Sequence, residues 1–319
     1  MPVFLWLWEL KMKALYFTFF VILFFVMLIV PFWACQNAPQ AAVVTNADGT
    51  GESFAVYISS ENKIKNIPVN DYVLGVLGAN SDKNAPDESL KAQAVCAYTL
   101  ALYYKDHTSD KNYDLEDIYD GYADIISQKE KWGDAYAATV DRFKAAINEV
   151  AGQWLSYHNA PILALCHAVS SGKTENAKDI LGEDLPYLIS AESTGDLYCP
   201  TLESKKTVPL SDLKSLMDSF GKTADTPDIK LDKTAAGAVK SVSIYGVGAK
   251  GEEIKNALSL PSLCFSISIN DKEATVTTLG SGSLLGLSRC GADYMAQKGA
   301  TYAEILSNYY TDCALVKKK

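Results

Sequence analysis

The stretch from Tyr72 to Thr99, YVLGVLGANSDKNAPDESLKAQAVCAYT, connects an apolar run to the start of a helix through a polar turn. Pro86 and the acidic residues after it are typical of the first turn of a helix. A carboxyl group in such a turn, at the mouth of a cleft, could act as a general acid. The turn instead presents Asn80, and an amide supplies no acidic proton. Asp82 is the candidate substitute acid, provided that loop bending brings it within about 3 Å of the oxygen that it protonates.

A second polar segment, Ser170–Glu175, has the sequence SSGKTE. Its hydroxyls and backbone groups are suited to binding sugar hydroxyls, and Gly172 would allow a ligand to approach the backbone closely. The alternative interpretation is an ordinary surface turn. The segment is not a phosphate-binding loop, because position 167 is His where that motif requires Gly.

Cys166 and His167 precede this loop, and His158 lies on the strand-like segment before them. If the two segments face each other, these side chains could bind zinc, with Cys199 or a water as a further ligand. Two alternatives are a structural Cys–His pair and a disulfide between Cys166 and Cys199. The sequence therefore predicts no required cofactor and leaves a structural zinc ion as an option.

The elements that must position these residues predict an α+β fold. The expected helices cover about 89–105, 134–149, 210–220, 290–298 and 301–310, and residues 223–238 are expected to form a loop. Runs rich in β-branched residues predict strands near 54–59, 153–159, 161–170, 239–247, 263–269 and 273–280. No repeat of fixed period is visible, which excludes a solenoid.

The composition of the 319 residues, 48 % hydrophobic and 21 % charged, is that of a globular protein. The net charge of −9 and the scattered Lys and Arg residues argue against nucleic acid as a partner.

The N-terminal part of the chain has a different character from the rest. Residues 14–34 carry no charge and are long enough to cross a bilayer, which needs about 20 apolar residues. Lys11 and Lys13 precede this run, so the positive-inside rule predicts a cytoplasmic segment 1–13, a transmembrane anchor 14–34, a tether 35–53 and an extracytoplasmic domain 54–315. A cleaved signal peptide is the alternative, although its apolar region is typically only about 7–15 residues.

Three segments together resemble one family, that of stage II sporulation protein D and the LytB amidase enhancer. The first is IPVNDYVLGVLGAN with the following ESLKAQAVCAYTLAL, the second is CHAVSSGKTENAKDILGEDLPYLISAESTGD, and the third is GLSRCGADYMAQKGATYAEILSNYY. The resemblance covers about residues 54–313. It implies a membrane-anchored protein that acts on peptidoglycan, with one carboxyl group that cleaves glycan strands by lytic transglycosylation.

The resemblance aligns the family's catalytic Glu with Asn80. It implies glycan-binding roles for Gln93, His167, Ser170, Ser171, Gly172, Thr174, Glu175 and Ser288. Further departures are Tyr98 for an Arg, Ser283 for a His and Arg289 for a Gln. The losses fall on residues of the chemistry, whereas the scaffold pattern persists.

The leading hypothesis is therefore a wall-facing protein of the cell membrane that binds peptidoglycan glycan strands, in sporulation and engulfment or in wall remodelling, with weak or no lytic transglycosylase activity. One alternative is an active enzyme that uses Asp82. The other is a non-catalytic scaffold that stimulates an amidase. The expected partners are glycan strands, a cell-wall amidase/endopeptidase and the membrane.

Overall fold

The computed structural model describes residues 52–108, 111–117 and 121–318, and strands and helices alternate along them in a mixed α+β fold, as predicted. The helices are α1 (Val69–Asn80), α2 (Asp87–His107), α3 (Ile125–Trp132), α4 (Tyr136–Glu149), α5 (Ala177–Ile180), α6 (Leu210–Asp218), α7 (Gly251–Ala257), α8 (Arg289–Gln297) and α9 (Tyr302–Tyr309). The strands are β1 (Ser53–Ile58), β2 (Lys63–Pro68), β3 (Leu115–Glu116), β4 (Gln153–Tyr157), β5 (Ala160–Pro161), β6 (Cys166–His167), β7 (Glu203–Pro209), β8 (Ile229–Lys233), β9 (Val239–Ile244), β10 (Val247–Lys250), β11 (Phe265–Ile269), β12 (Glu273–Leu279), β13 (Leu287–Ser288) and β14 (Ala314–Lys317). A 3-10 turn spans Thr194–Tyr198.

Helix α2 is the centre of the first hydrophobic core. The sequence pattern predicted one buried face, but the helix is enclosed by α1, α4, β4, α8 and α9, so nearly every side chain from Ser89 to Ala101 is buried. Small residues such as Ala92, Ala94 and Ala97 allow these neighbours to approach from several sides. The helix therefore connects the segments that carry the candidate site residues.

A second core lies between two antiparallel sheets, ordered β11-β12-β7 and β10-β9-β8, with α6 and α7 packed on them. Strand β8 falls in the segment predicted as a loop, so that prediction was wrong. The strand has few apolar residues and forms because it pairs with β9. Gly251 starts α7 where a Cβ would lie 1.8 Å from the carbonyl oxygen of Val239, so only glycine fits there.

The predicted hairpin around residues 159–161 is shorter than expected. Strand β4 pairs with β5, but β6, which carries Cys166 and His167, pairs in parallel with β13. The third family segment is thereby placed beside the second. Among the described helices none has the length and apolarity needed to span a bilayer, and the predicted anchor at 14–34 lies outside the described residues.

Candidate functional site

A narrow cleft with a free volume of about 10 Å³, roughly that of one water molecule, forms where the end of α1, the middle of α2, strand β6 and the start of α8 meet. Its lining residues are Val76, Leu77, Asn80, Gln93, Cys166 and Arg289. The three segments that carry the family resemblance all contribute to this lining. The structure thus brings together Asn80, Gln93 and Cys166, together with Arg289, one of the positions where the chain departs from the family.

Asn80 is the last residue of α1. Its Nδ2 donates hydrogen bonds to the carbonyl oxygens of Val76, at 2.9 Å, and Gly121, at 3.3 Å. The amide therefore satisfies backbone acceptors at the negative end of the helix dipole. The Asn80 amide stabilises the wall of the cleft, but it has no acidic proton that it could transfer to a glycosidic oxygen.

Lys131 caps the same helix end from α3. Its ammonium donates to the carbonyl oxygens of Gly78, Ala79 and Ser81 at 2.9, 3.0 and 3.1 Å, which uses all three of its hydrogens. Burial lowers the pKa of Lys131; the charge of Asp82 opposes this shift and the nearby Arg289 adds to it. Lys131 therefore adds a positive charge at the end of α1, in addition to the cleft residue Arg289.

Asp82, the predicted substitute acid, lies beyond the end of α1 on an exposed turn. Its Oδ1 accepts a hydrogen bond from the backbone N–H of Asn84 at 2.7 Å. It is not among the residues that line the cleft. In this arrangement its carboxylate stabilises the turn before α2.

Gln93 is buried on α2 and its amide orientation is fixed by two serines. Its Oε1 accepts from the hydroxyl of Ser81 at 2.8 Å, and its Nε2 donates to the hydroxyl of Ser89 at 3.0 Å. Ser81 directly follows Asn80, so this chain of hydrogen bonds ties the end of α1 to α2. One face of Gln93 still reaches the cleft.

Most of the polar side chains of the 170–175 loop point into the protein. Ser170, Thr174 and Glu175 are buried, and Thr174 Oγ1 accepts from the N–H of Ala191 at 2.8 Å. Ser171 is half-buried and donates to the carbonyl of Ala236 at 3.3 Å. Gly172 has φ 101°, with the side chain of Leu197 over its Cα. These groups shape the loop and anchor it, and their role in glycan binding stays a prediction.

Glu175 connects the loop to the second core. Its Oε1 accepts from the hydroxyl of Thr234 and from the N–H of Ala238, both at 2.8 Å, whereas its Oε2 is buried and has no hydrogen-bond partner. Burial raises the pKa of Glu175, and the two hydrogen bonds only partly offset this effect. Ionisation of the Glu175 carboxyl is therefore less favourable than that of an exposed glutamate.

The buried hydrogen bonds of Glu175 predict different outcomes for two substitutions. Glu175→Gln keeps an acceptor oxygen, so we expect a change of less than about 1 kcal/mol in the free energy of unfolding. Glu175→Ala removes the acceptor shared by the Thr234 hydroxyl and the Ala238 N–H, and it should cost roughly 1–3 kcal/mol. Urea denaturation of both variants measures the difference. Equal losses in the two variants would show that these hydrogen bonds do not stabilise the loop.

Asp196, which the sequence analysis did not single out, is the buried centre of the site's scaffold. Its Oδ2 accepts from the N–H and the hydroxyl of Ser170 at 2.8 and 2.5 Å, and its Oδ1 accepts from the hydroxyl of Ser288 at 2.6 Å. Ser288 also caps α8. At Gly291 a Cβ would lie 2.3 Å from Ser193 Oγ, so glycine is needed for the 194–198 turn to pack on α8. The only signal in the sequence that could have found Asp196 is its position at the end of the second family segment.

The side chains of the neighbouring residues Cys166 and His167 lie in different environments: Cys166 lines the cleft, whereas His167 is enclosed by the protein. His167 is buried, and its Nδ1 donates to the carbonyl of Leu285 at 2.9 Å. Burial lowers the pKa of His167 to about 4, although the bond to Leu285 and the charge of Asp196 act in the opposite direction. The imidazole is therefore neutral at physiological pH. The parallel pairing with β13, rather than a hairpin with the His158 segment, is what separates the proposed zinc ligands.

In the part of the chain that the structure describes, no group of three or more His, Cys, Asp or Glu side chains is arranged to hold a metal. No disulfide joins the described cysteines. Cys199 lies beside Cys290 rather than beside Cys166, and burial together with the neighbouring Cys199 raises the pKa of the Cys290 thiol. These residues thus offer zinc no ready site.

Asp293, on α8, is the second site residue that the sequence analysis missed. Burial raises its pKa to about 6, a hydrogen bond from Ser89 lowers it, the charge of Asp82 raises it, and Arg289 lowers it. Its Oδ1 is buried without a hydrogen-bond partner. The signal that could have found it is the spacing of four residues from Arg289, which places both side chains on one helix face.

Comparison with known proteins identifies the scaffold around this cleft. A family profile described as "Stage II sporulation protein" matches residues 57–157. A relative from Bacillus amyloliquefaciens named "Stage II sporulation protein D" is 30 % identical over 264 residues, which cover 81 % of this chain and 77 % of that protein. The chain belongs to the stage II sporulation protein D family.

Other members and relatives agree with this assignment to the stage II sporulation protein D family. The protein of that name from Bacillus subtilis is 29 % identical over 291 residues, or 87 % of this chain and 82 % of the relative. A Bacillus subtilis protein named "Amidase enhancer" is 22 % identical over 282 residues, or 72 % of this chain and 38 % of the relative. The family profile includes Asn80 and Gln93, whereas Cys166 and Arg289 join the cleft from outside it.

Proposed function

We propose that this stage II sporulation protein D family member binds peptidoglycan glycan strands on the surface around the narrow cleft between α1, α2 and α8, and that it does so in sporulation or in remodelling of the cell wall. The names of its relatives support a role in sporulation. The observation that carries the proposal is the shared lining of the cleft by Asn80, Gln93 and Arg289. With an amide at position 80, that position contributes no proton to cleavage of a glycosidic bond.

The charge of the cleft indicates which kind of glycan strand it accepts. The whole chain has a net charge of −9, yet the charged side chain that lines the cleft is the half-buried Arg289. A guanidinium binds carboxylates well because its N–H groups match the two oxygens. An amidase that removes the peptides of peptidoglycan leaves a free lactyl carboxylate on each muramic acid. We therefore expect peptide-free strands to bind better than peptide-bearing strands.

Arg289→Ala tests the binding proposal directly. We expect the full-length protein, solubilised in detergent, to sediment with purified peptide-free glycan strands, and the variant to bind about tenfold more weakly or worse, since a charged hydrogen bond contributes roughly 1.5–3 kcal/mol. Lys178→Ala, on the exposed surface of α5, removes a cation far from the cleft and is the matched control. Sedimentation unaffected by Arg289→Ala, or equal binding of both strand types, would refute this binding mode.

A scaffold function is the second candidate, because one relative is named "Amidase enhancer". In that case the protein would accelerate an added cell-wall amidase/endopeptidase without sedimenting with glycan. Both functions require the domain to face the wall. The apolar segment 14–34 supports a single membrane anchor with a cytoplasmic N-terminus. Protease protection of the N-terminus, but not of the domain, in intact cells tests that arrangement.

A further inference from the structure

Two segments of the site's scaffold, the 3-10 turn and the first turns of α8, are held against each other by several contacts. Asp196 accepts a hydrogen bond from the hydroxyl of Ser288 at 2.6 Å. The rings of Tyr198 and Tyr294 are stacked, with their centroids 5.4 Å apart and their planes at 7°. At Gly195 a Cβ would lie 2.5 Å from the Cβ of Tyr294, so the backbone of the turn packs directly on the helix. The relative position of the two segments is therefore fixed by packing.

Each of these segments carries one cysteine beside the contacts. Cys199 directly follows Tyr198, and its N–H donates to the carbonyl oxygen of Asp196 at 2.9 Å. Cys290 is the second residue of α8, and its N–H donates to the carbonyl oxygen of Ala168 at 3.1 Å. Both cysteines are free thiols in the structure, and the Cys290 thiol lies within hydrogen-bonding distance of the Cys199 thiol. Two anchored backbones thus hold two sulfur atoms side by side.

The location of this pair also allows an oxidant to reach it. Both cysteines are half-buried rather than enclosed, and the Cys199 thiol contacts the hydroxyl of Thr201 at 3.4 Å on the surface. Disulfides persist outside the cytosol, because the thiol reductants of the cell act inside it. The wall-facing orientation proposed above would put the pair in such a compartment.

We propose that Cys199 and Cys290 form a disulfide that fastens the 3-10 turn to the start of α8. The proposal rests on the proposed orientation for its oxidising environment, but it does not depend on glycan binding. The oxidant is a small-molecule or protein disulfide. One cysteine thiolate attacks a sulfur atom of this oxidant and displaces the other, and the second cysteine thiolate then attacks the mixed disulfide. One S–S bond forms, and the two protons that the cysteines lose end on the two thiols of the reduced oxidant.

The disulfide would stabilise both the scaffold and one wall of the cleft. Asp196 lies three residues before Cys199, and the cleft residue Arg289 directly precedes Cys290. The bond closes a loop of about 90 residues, and a crosslink of that kind stabilises a protein mainly by restricting its unfolded chain. The oxidised protein should therefore resist urea better than the reduced protein.

The experiment compares the full-length protein, solubilised in detergent, with Cys290→Ser and Cys199→Ser. Cys313→Ser is the matched control, because Cys313 is also half-buried. Each protein is equilibrated in a buffer of reduced and oxidised glutathione, alkylated and digested without reduction. Mass spectrometry should find one peptide pair joined through Cys199 and Cys290 in the unaltered protein and in the control. The urea midpoint should fall by about 1 M or more when the unaltered protein is reduced, and it should be insensitive to reduction in the other two variants.

Several results would overturn the proposal. Free Cys199 and Cys290 thiols under these conditions would do so, as would a peptide that joins either of them to another cysteine, such as Cys166. If one serine variant fails to fold, the unaltered protein and the other variant still decide the question. Cells alkylated before lysis should yield the same linked peptide. Free thiols there would refute the disulfide in the cell, and the protease-protection test shows whether the orientation is the reason. Sedimentation with glycan tests the proposed function separately.

Discussion

Asn80→Glu should raise the rate of glycan cleavage by roughly 10²–10⁴, the usual contribution of a positioned general acid. The environment of residue 80 is suited to a protonated carboxyl. The carbonyl oxygens of Val76 and Gly121, which now accept hydrogen bonds from the Asn80 amide, can accept from a carboxylic acid but repel a carboxylate. The negative end of the α1 dipole acts in the same direction.

Two cationic side chains, Lys131 and Arg289, could oppose this effect by pairing with the new carboxylate. The three hydrogens of Lys131 are already donated to carbonyl oxygens at the end of α1, so Lys131 is not available without breaking those bonds. Arg289 is the cation that can lower the pKa of the new carboxyl, whereas the carbonyl oxygens and the helix dipole raise it. The added methylene of Glu lets the carboxyl extend further into the cleft than Asn80 does.

A matched variant makes the test of Asn80→Glu specific. Asn80→Gln has the length of Glu without an acidic proton to give, and it should show no gain. Counts of 1,6-anhydro ends on peptide-free strands measure both variants. A gain in Asn80→Gln, or none in Asn80→Glu with glycan binding intact, would show that the cleft does not present position 80 to the glycosidic bond.

Asp196→Ala should be the most destabilising single substitution in the site. The change leaves the N–H and hydroxyl of Ser170 and the hydroxyl of Ser288 without their buried acceptor. At about 1–3 kcal/mol for each unsatisfied donor, we expect a loss of at least about 3 kcal/mol in the free energy of unfolding. That is a large part of the roughly 5–15 kcal/mol that stabilises a typical domain.

Urea denaturation followed by far-UV circular dichroism measures this loss. Asp184→Ala is the matched control, because Asp184 is exposed and its pairing with Lys178 at 3.5 Å lies on the surface. Asp196→Asn, which keeps one acceptor oxygen, should fall between the two. Stability of Asp196→Ala within about 0.5 kcal/mol of the unaltered protein would mean that Ser170 and Ser288 find other acceptors. Asp196 would then not be the centre of the scaffold.

Much of the fold could be predicted from the sequence, because its signals are local. Pro86 and the acids after it mark the start of α2, and the apolar spacing after them marks a buried helix. Strand β8 could not be predicted, since its residues IKLDK have little apolar pattern and the strand is formed by pairing with β9. Backbone pairing with the next strand along the chain supplies what the side chains of β8 do not indicate.

The candidate site, too, could be predicted only in part from the sequence. By itself the sequence determined the family resemblance and the amide at position 80, because both depend on residue types in order along the chain. Only the tertiary structure decided that Arg289 joins Asn80 at one cleft, that Asp196 holds the scaffold and that burial raises the pKa of Asp293. Protonation and hydrogen bonding depend on burial and on neighbours from other segments, and packing of α8 against α2 and the 194–198 turn creates those neighbours.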